Sequence, residues 1–207
     1  MTAQLYVISA PSGAGKTSLI RALRERQPQL RLSTSHTTRP PRPTEQHGRE
    51  YYFVPNEEFD RLVAAGAFLE HARVFDNQYG TSQAQLEQKL ATGADVILEI
   101  DWQGARQVRH VLPASLSIFI LPPSLETLRT RLTGRQTDSP EVIARRLADA
   151  VTDMSHYREF DYVVVNDDFD RAVGDLEKIV AGQGEGLRSD RRELTPLARN
   201  LLDFPTP

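Results

Sequence analysis

The chain has 207 residues, 39% of them apolar and 26% charged, the composition of a folded globular protein and enough chain for a core with inserted subdomains. A net charge of −3 argues against a nucleic-acid binder, and the lack of any cysteine excludes disulfides, thiolate metal sites and cysteine nucleophiles. The apolar run Leu5–Ala10 is too short for a signal segment or a membrane span, so a cytoplasmic protein with no membrane partner is expected.

That apolar run leads into Ala10-Pro11-Ser12-Gly13-Ala14-Gly15-Lys16-Thr17-Ser18. Strand, Gly-rich turn and helix start follow in the order of a phosphate-binding loop, with Ala10 standing where the G-x-x-x-x-G-K-[ST] pattern has its first Gly. Unpaired N–H groups at the helix start would cradle phosphate from Pro11 to Ser18, Lys16 would reach the outer phosphates, and the Thr17 hydroxyl would ligate Mg²⁺. The alternative is an ordinary Gly-rich strand-to-helix turn. For Ala10 to replace Gly without penalty, its φ must be negative.

Leu19, Ile20 and Leu23 mark one face of the first helix, which should stop near Gln27-Pro28. Leu32–Thr37 reads as one short strand. Pro40, Pro41 and Pro43 then stiffen a loop carrying Arg39 and Arg42, which reads equally as a rigid presentation of two cations or as a solvated linker. Tyr51–Val54 reads as a strand. Asn56 looks like the N-cap of a helix with Phe59, Leu62 and Val63 buried, closed by Gly66. Phe68–Phe75 reads as a strand carrying Glu70, and Tyr79-Gly80-Thr81-Ser82 as a turn into a helix over Gln83–Leu90. Residues 34–82 therefore suggest a small, partly antiparallel insert.

Ala94–Asp101 has the continuous apolar run of a buried parallel strand, with Glu99 and Asp101 at the end where α/β sheets place ligands. Trp102 reads as packing. Ser115–Leu121 is a further strand, and Ser124 caps a helix carrying Leu125, Leu128 and Leu132. A polar loop over 133–139 leads to Ser139 as N-cap and Pro140 as first residue of a helix reaching about Arg158, with Ile143, Leu147, Ala150, Val151 and Met154 buried. Arg129, Arg131, Arg135, Arg145 and Arg146 gather on that loop and its flanks, either as a solvated face or as a lid whose forks fit a triphosphate. Tyr162–Val165 reads as a strand and Phe169–Val180 as a helix. From residue 182 onward a loosely held tail is expected, with a short helix near Glu193–Asp203.

Five segments, Ser35-His36-Thr37-Thr38-Arg39-Pro40-Pro41-Arg42, Gly48-Arg49-Glu50-Tyr51-Tyr52-Phe53, Phe68-Leu69-Glu70, Tyr79-Gly80-Thr81 and Ile100-Asp101-Trp102-Gln103-Gly104, stand in an order and spacing that resembles the guanylate kinase family in its bacterial form, from Leu5 to about Val180. The resemblance implies an α/β fold: a P-loop five-stranded parallel sheet flanked by helices, an inserted small mixed nucleoside-monophosphate-binding subdomain and a helical lid. In this chain the core would be residues 1–34, 83–125 and 157–207, the GMP subdomain 35–82 and the lid 126–156. It implies ATP-dependent phosphorylation of GMP, and of dGMP, with Mg²⁺ and with no nucleic-acid partner. The GMP phosphate would lie between Arg39, Arg42, Tyr51 and Tyr79, and guanine against Ser35, Glu70 and Thr81. Glu99 and Asp101 would stand near the nucleotides, Asp101 reaching Mg²⁺ through water. Lys16 and Arg39, with lid arginines Arg131, Arg135 and Arg146, would neutralise charge in transfer. The competing reading is a guanylate-kinase-like module that binds protein rather than nucleotide, against which Gly15-Lys16-Thr17 speaks.

Overall fold

The computed structural model describes residues 3–134 and 140–203. Its elements in chain order are β1 (Leu5–Ser9), α1 (Lys16–Arg26), β2 (Arg31–Leu32), β3 (His36–Thr37), β4 (Tyr52–Phe53), α2 (Asn56–Ala64), β5 (Phe68–Val74), β6 (Asn77–Ser82), α3 (Gln83–Ala91), β7 (Val96–Glu99), α4 (Trp102–Val111), β8 (Leu116–Leu121), α5 (Leu125–Thr133), α6 (Pro140–Ser155), β9 (Tyr162–Val165), α7 (Phe169–Val180) and α8 (Leu194–Leu202).

Five strands form a parallel sheet in the order β2-β7-β1-β8-β9, as expected for the P-loop α/β class. All five residues of β1 are buried, as are Val96, Ile97 and Leu98 of β7 and Ile118–Leu121 of β8. Runs without polar alternation suit strands buried on both faces. A second sheet, ordered β4-β3-β6-β5, is mixed: β3 runs parallel to β4 and antiparallel to β6, while β5 and β6 form a hairpin. This is the small, partly antiparallel insert expected from residues 34–82.

Several local expectations need correction. The single strand expected over Leu32–Thr37 is two strands in different sheets, β2 against β7 and β3 against β4 and β6. The segment Tyr79–Ser82 is the end of strand β6 rather than a turn, although Ser82 does cap α3 by accepting from the Gln85 N–H. Asn56 is the first residue of α2, and Pro55 is the N-cap position, its fixed φ of −63° preparing the helix start. Helix α4 was not anticipated. Helix α6 ends at Ser155, followed by a 3₁₀ turn over Tyr157–Glu159. Over residues 182–203 the tail is not loosely held: a 3₁₀ turn at Glu185–Leu187 precedes α8, whose Leu194, Ala198 and Leu201 are buried at a helical period. Ser139 lies outside the described residues.

The chain divides into two compact units, Met1–Val7 with Pro28–Leu116 and Ile8–Gln27 with Ser117–Pro207. In the first, Phe59, Leu69, Leu86 and Val108 are buried and α4 packs on β5. In the second, α1 packs on α7 and α8 on α6, with Leu19, Leu23, Val173 and Leu176 in the core. Among the described residues no helix is long and apolar enough to cross a membrane.

Candidate active site

The loop after β1 is shaped by two glycines. Gly13 and Gly15 have φ of 89° and 94°, a left-handed backbone that side chains rarely adopt. Ala10 is not in that region, so it replaces the usual Gly without strain. The Ala14 N–H closes the turn on the Pro11 carbonyl at 3.2 Å, and Ala14 itself is fully buried. Gly15 is the N-cap of α1 and has no side chain to cap it, so the N–H groups of the first turn face an incoming anion at the positive end of the helix. Lys16 and Thr17 are the first two helical residues, with Thr17 and Ser18 exposed.

The loop is held from behind by a residue that sequence reasoning missed. Asn166, just past the C-terminal end of β9, donates from Nδ2 to the Ala14 carbonyl at 2.7 Å and is 4% exposed. A Cβ on Gly15 would lie 2.5 Å from that amide nitrogen, so the glycine is needed for space as well as for φ. Arg131 reaches the same place, donating to the Asn166 carbonyl at 3.1 Å and to the Ala14 carbonyl at 3.5 Å. Thus α5 brings one expected lid arginine to the phosphate loop. Arg146 lies on α6, and Arg135 lies outside the described residues. Asn166→Ala is expected to cost about 0.5–1.5 kcal/mol, the usual net worth of one hydrogen bond, because the longer Arg131 contact stays on the Ala14 carbonyl. Urea unfolding would read this as a lower midpoint at unchanged slope, and a wild-type midpoint would show that the clamp contributes nothing.

In the mixed sheet and the Pro-stiffened loop, the four residues expected to hold a phosphate converge. The Arg39 guanidinium lies 5.5 Å from the Tyr51 ring centre and 5.7 Å from that of Phe53, and Tyr51 and Tyr79 meet edge to face at 5.9 Å. A carboxylate already sits among them. Glu45 accepts from Arg39 Nη2 at 2.9 Å and from the Arg42 N–H at 2.8 Å, and its oxygen is 3.6 Å from the Arg42 guanidinium. The Arg39 and Glu45 side chains are only 15% and 11% exposed, so the pair is shielded from solvent screening. Burial opposes both charges, but the mutual hydrogen bond prevails, raising the Arg39 pKa above its ordinary value and lowering that of Glu45. Burial, then the charge of Glu99, pushes the Tyr51 phenol far above its usual range, so it remains a hydrogen-bond donor. Glu45 was missed because it lies in a polar loop and gains meaning only through its partners.

The other end of this site is built on β5 and β6. A bulge between Phe68 and Glu70 breaks the strand alternation, so that Leu69 and Glu70, consecutive residues, are 8% and 2% exposed. Glu70 pairs in register with Thr81, whose hydroxyl donates to Glu70 Oε1 at 2.6 Å. Ser35 is buried on the approach to β3, its carbonyl taking the Tyr52 N–H. Asp101 is the N-cap of α4: Oδ1 accepts from the Gly104 N–H at 2.9 Å and Oδ2 from Gln103 Nε2 at 3.0 Å. Its expected place near nucleotide is thereby joined by a structural duty. One unit thus carries a helix start without a side-chain cap, and the other carries paired arginines and a buried carboxylate able to receive adjacent donors.

Among the described residues no group of three or more histidines or acids is placed to hold a metal ion. Thr17 supplies an exposed hydroxyl beside the loop, which fits a cation that arrives on phosphates and takes few protein ligands, as Mg²⁺ does.

A sequence profile described as Guanylate kinase matches residues 2–183. The chain is 57% identical to the guanylate kinase of Alkalilimnicola ehrlichii over 98% of this chain and 100% of that one. It is 57% identical to the guanylate kinase of Escherichia coli strain K12 over 91% of each. The crystal structure of guanylate kinase from Anaplasma phagocytophilum superposes with a TM-score of 0.72 at 33% identity, over 96% of this chain and 94% of that one. Fold, loop and profile agree, and the chain belongs to the guanylate kinase family.

Proposed function

We propose that this protein transfers the γ-phosphoryl group of ATP to the phosphate of GMP, and of dGMP, giving ADP and the diphosphate. The observation that carries this is the buried Glu70, bonded to Thr81, in the same small sheet that holds Tyr79 and whose strands β3 and β4 flank the loop of Arg39, Arg42 and Tyr51. Guanine presents N1–H and its 2-amino group as adjacent donors, which one carboxylate can accept together. Adenine offers an acceptor at N1 and no 2-amino group, so it would leave the carboxylate unsatisfied.

The donor belongs to the loop at residues 11–18, where Lys16 pairs the outer phosphates and Thr17 would hold Mg²⁺, which offsets phosphate charge when bound. Arg131, already on the loop, and Arg146 would add forks to the triphosphate. Residues 126–156 act as the lid and 35–82 as the GMP subdomain, on the core of 1–34, 83–125 and 157–207. The acceptor belongs to Arg39, Arg42, Tyr51 and Tyr79, with guanine against Glu70, Ser35 and Thr81, and Glu99 and Asp101 nearby. The attacking atom is already an anionic phosphate oxygen, so no strong base is needed. Catalysis is alignment and charge neutralisation by Lys16 and the arginines.

A coupled assay of ADP release with MgATP and each of GMP, dGMP, AMP, UMP and CMP tests this. GMP and dGMP should turn over far faster than the rest. Equal rates with AMP would sink the guanine assignment.

A further inference from the structure

Gly104 is the third residue of α4, and no positive φ explains it. In an ordinary helical conformation alanine is the better choice, so a helical glycine needs a packing reason. The reason lies across the β5–α4 contact. A Cβ on Gly104 would stand 3.0 Å from the carboxyl carbon of Glu70 and closer still to Oε2, while Asp101 Oδ1 would be 3.3 Å away. The Glu70 carboxylate therefore rests against the bare Cα of the first turn of α4, at the positive end of that helix.

The same helix face fixes strand β5. β5 is an edge strand, and Gln107 covers the edge with both ends of its amide: Nε2 donates to the His71 carbonyl at 2.8 Å and Oε1 accepts from the His71 N–H at 3.2 Å. Gln103 reaches the Arg73 carbonyl at 3.5 Å one turn earlier. On the opposite side, the Thr81 hydroxyl grips Oε1. The carboxylate is held between a donor on β6 and a gap left by a missing methyl on α4, one residue from the backbone that Gln107 clamps.

We propose that Gly104 is a positioning residue for specificity: its lack of a side chain sets where the Glu70 carboxylate stands, and so whether guanine is distinguished from purines with fewer edge donors. This rests on the reading of Glu70 as the guanine acceptor. A methyl at position 104 would leave α4 as helical as before and would displace chiefly the Glu70 carboxylate, whose Oε2 it would meet well inside van der Waals contact, with Asp101 Oδ1 a lesser neighbour at 3.3 Å.

The test compares wild type, Gly104→Ala, Glu70→Ala and the double variant, with steady-state kinetics on GMP, AMP and inosine monophosphate, which keeps N1–H and lacks the 2-amino group. Gly104→Ala should raise KM for GMP about 10-fold or more, the scale of one lost charged hydrogen bond, and shrink the GMP-to-inosine-monophosphate ratio of kcat/KM by a similar factor. KM for ATP should stay within about two-fold, since the methyl removes nothing from the phosphate loop. In the Glu70→Ala background, where the clash with the carboxylate is gone and only the 3.3 Å approach to Asp101 Oδ1 remains, adding Gly104→Ala should change KM for GMP by less than about two-fold. Wild-type KM and ratio in Gly104→Ala would overturn the proposal. Equal losses in both backgrounds would overturn it too, since they would show a purely structural glycine. If wild type itself fails to prefer GMP over AMP, the guanine reading falls and the proposal with it; a preference kept by wild type and by Gly104→Ala alike removes the proposal alone.

Discussion

Lys16→Ala is expected to lower kcat by about 10²–10³-fold or more, the range for removing one preorganised charge from a developing anionic transition state. The variant should still fold. Lys16 opens α1, its side chain is half-exposed, and alanine is the best helix former. The loop geometry comes from elsewhere: from the positive φ of Gly13 and Gly15, from the Ala14 to Pro11 turn, and from the Asn166 clamp. None of these contacts uses the lysine ammonium. Binding of GMP should be little changed, because the arginine cluster and Glu70 belong to the mixed sheet and its loop. The loss should therefore appear in kcat and in ATP binding while KM for GMP holds. Lys16→Arg separates charge from shape, since it restores a cation whose planar fork cannot reproduce a compact ammonium. It should recover only a small part of the loss. ADP release in the coupled assay, with circular dichroism to confirm the fold, decides the matter: a folded Lys16→Ala enzyme at wild-type kcat would remove the phosphate-loop role.

The parts of this molecule legible in the sequence are those where one strong local signal decides. The Leu19, Ile20, Leu23 period and the Pro28 stop place α1, and Phe169–Val180 is α7 residue for residue, because Ala172, Val173, Leu176 and Ile179 repeat at helical spacing. The failures share a cause. β2 and β3 have two residues each, too short for any periodicity, and the break between them is made by pairing: the Ser33 N–H follows β7, bonding Ile97, while His36 pairs with Tyr52 and Gly80. Gly80 suggested a turn, yet it lies inside β6 because the Phe59 and Phe68 rings lie over it, where a Cβ would meet them at 3.1 Å. α4 was missed because Gly104 weakens the helical pattern for the sake of Glu70, a partner 34 positions away by number. The site divides along the same line. Arg39, Arg42, Tyr51, Glu70 and Thr81 could be named because the family resemblance carries their roles over by position; from the residues alone, Arg39 and Arg42 read equally as a solvated linker. Glu45 and Asn166 could not, because an exposed-looking Glu and a strand-end Asn acquire roles only through long-range hydrogen bonds. Asn166 had one usable signal, its place at the C-terminal end of a parallel strand, where α/β sheets gather functional side chains.

Glu70→Gln is expected to reduce kcat/KM for GMP by about 10²-fold or more, which is the loss of one hydrogen bond to a charged acceptor at roughly 1.5–3 kcal/mol, a donor left facing a donor, and the charge on the bond that remains. A carboxylate offers about four lone-pair sites, and the Thr81 hydroxyl donates to Oε1. A carboxylate can accept N1–H and the 2-amino group of guanine together, one on each oxygen. Gln keeps the volume and the fit against Gly104 but turns one oxygen into a donor, which faces a guanine donor with nothing between them. AMP should lose nothing and can gain, since the new amide N–H can meet its N1 acceptor, so the GMP-to-AMP ratio should narrow from both sides. Stability should move the other way. Glu70 is 2% exposed, and if its carboxylate serves recognition, its burial carries a desolvation cost that a neutral amide would relieve. The melting temperature of Glu70→Gln should therefore match or exceed that of wild type, whereas a residue serving only to knit β5 to β6 would melt lower when its charge is removed. Kinetics on the two monophosphates and a thermal melt on the same preparation separate the cases: an unchanged GMP-to-AMP ratio would remove Glu70 from recognition, and a lower melt with an unchanged ratio would assign it to the fold.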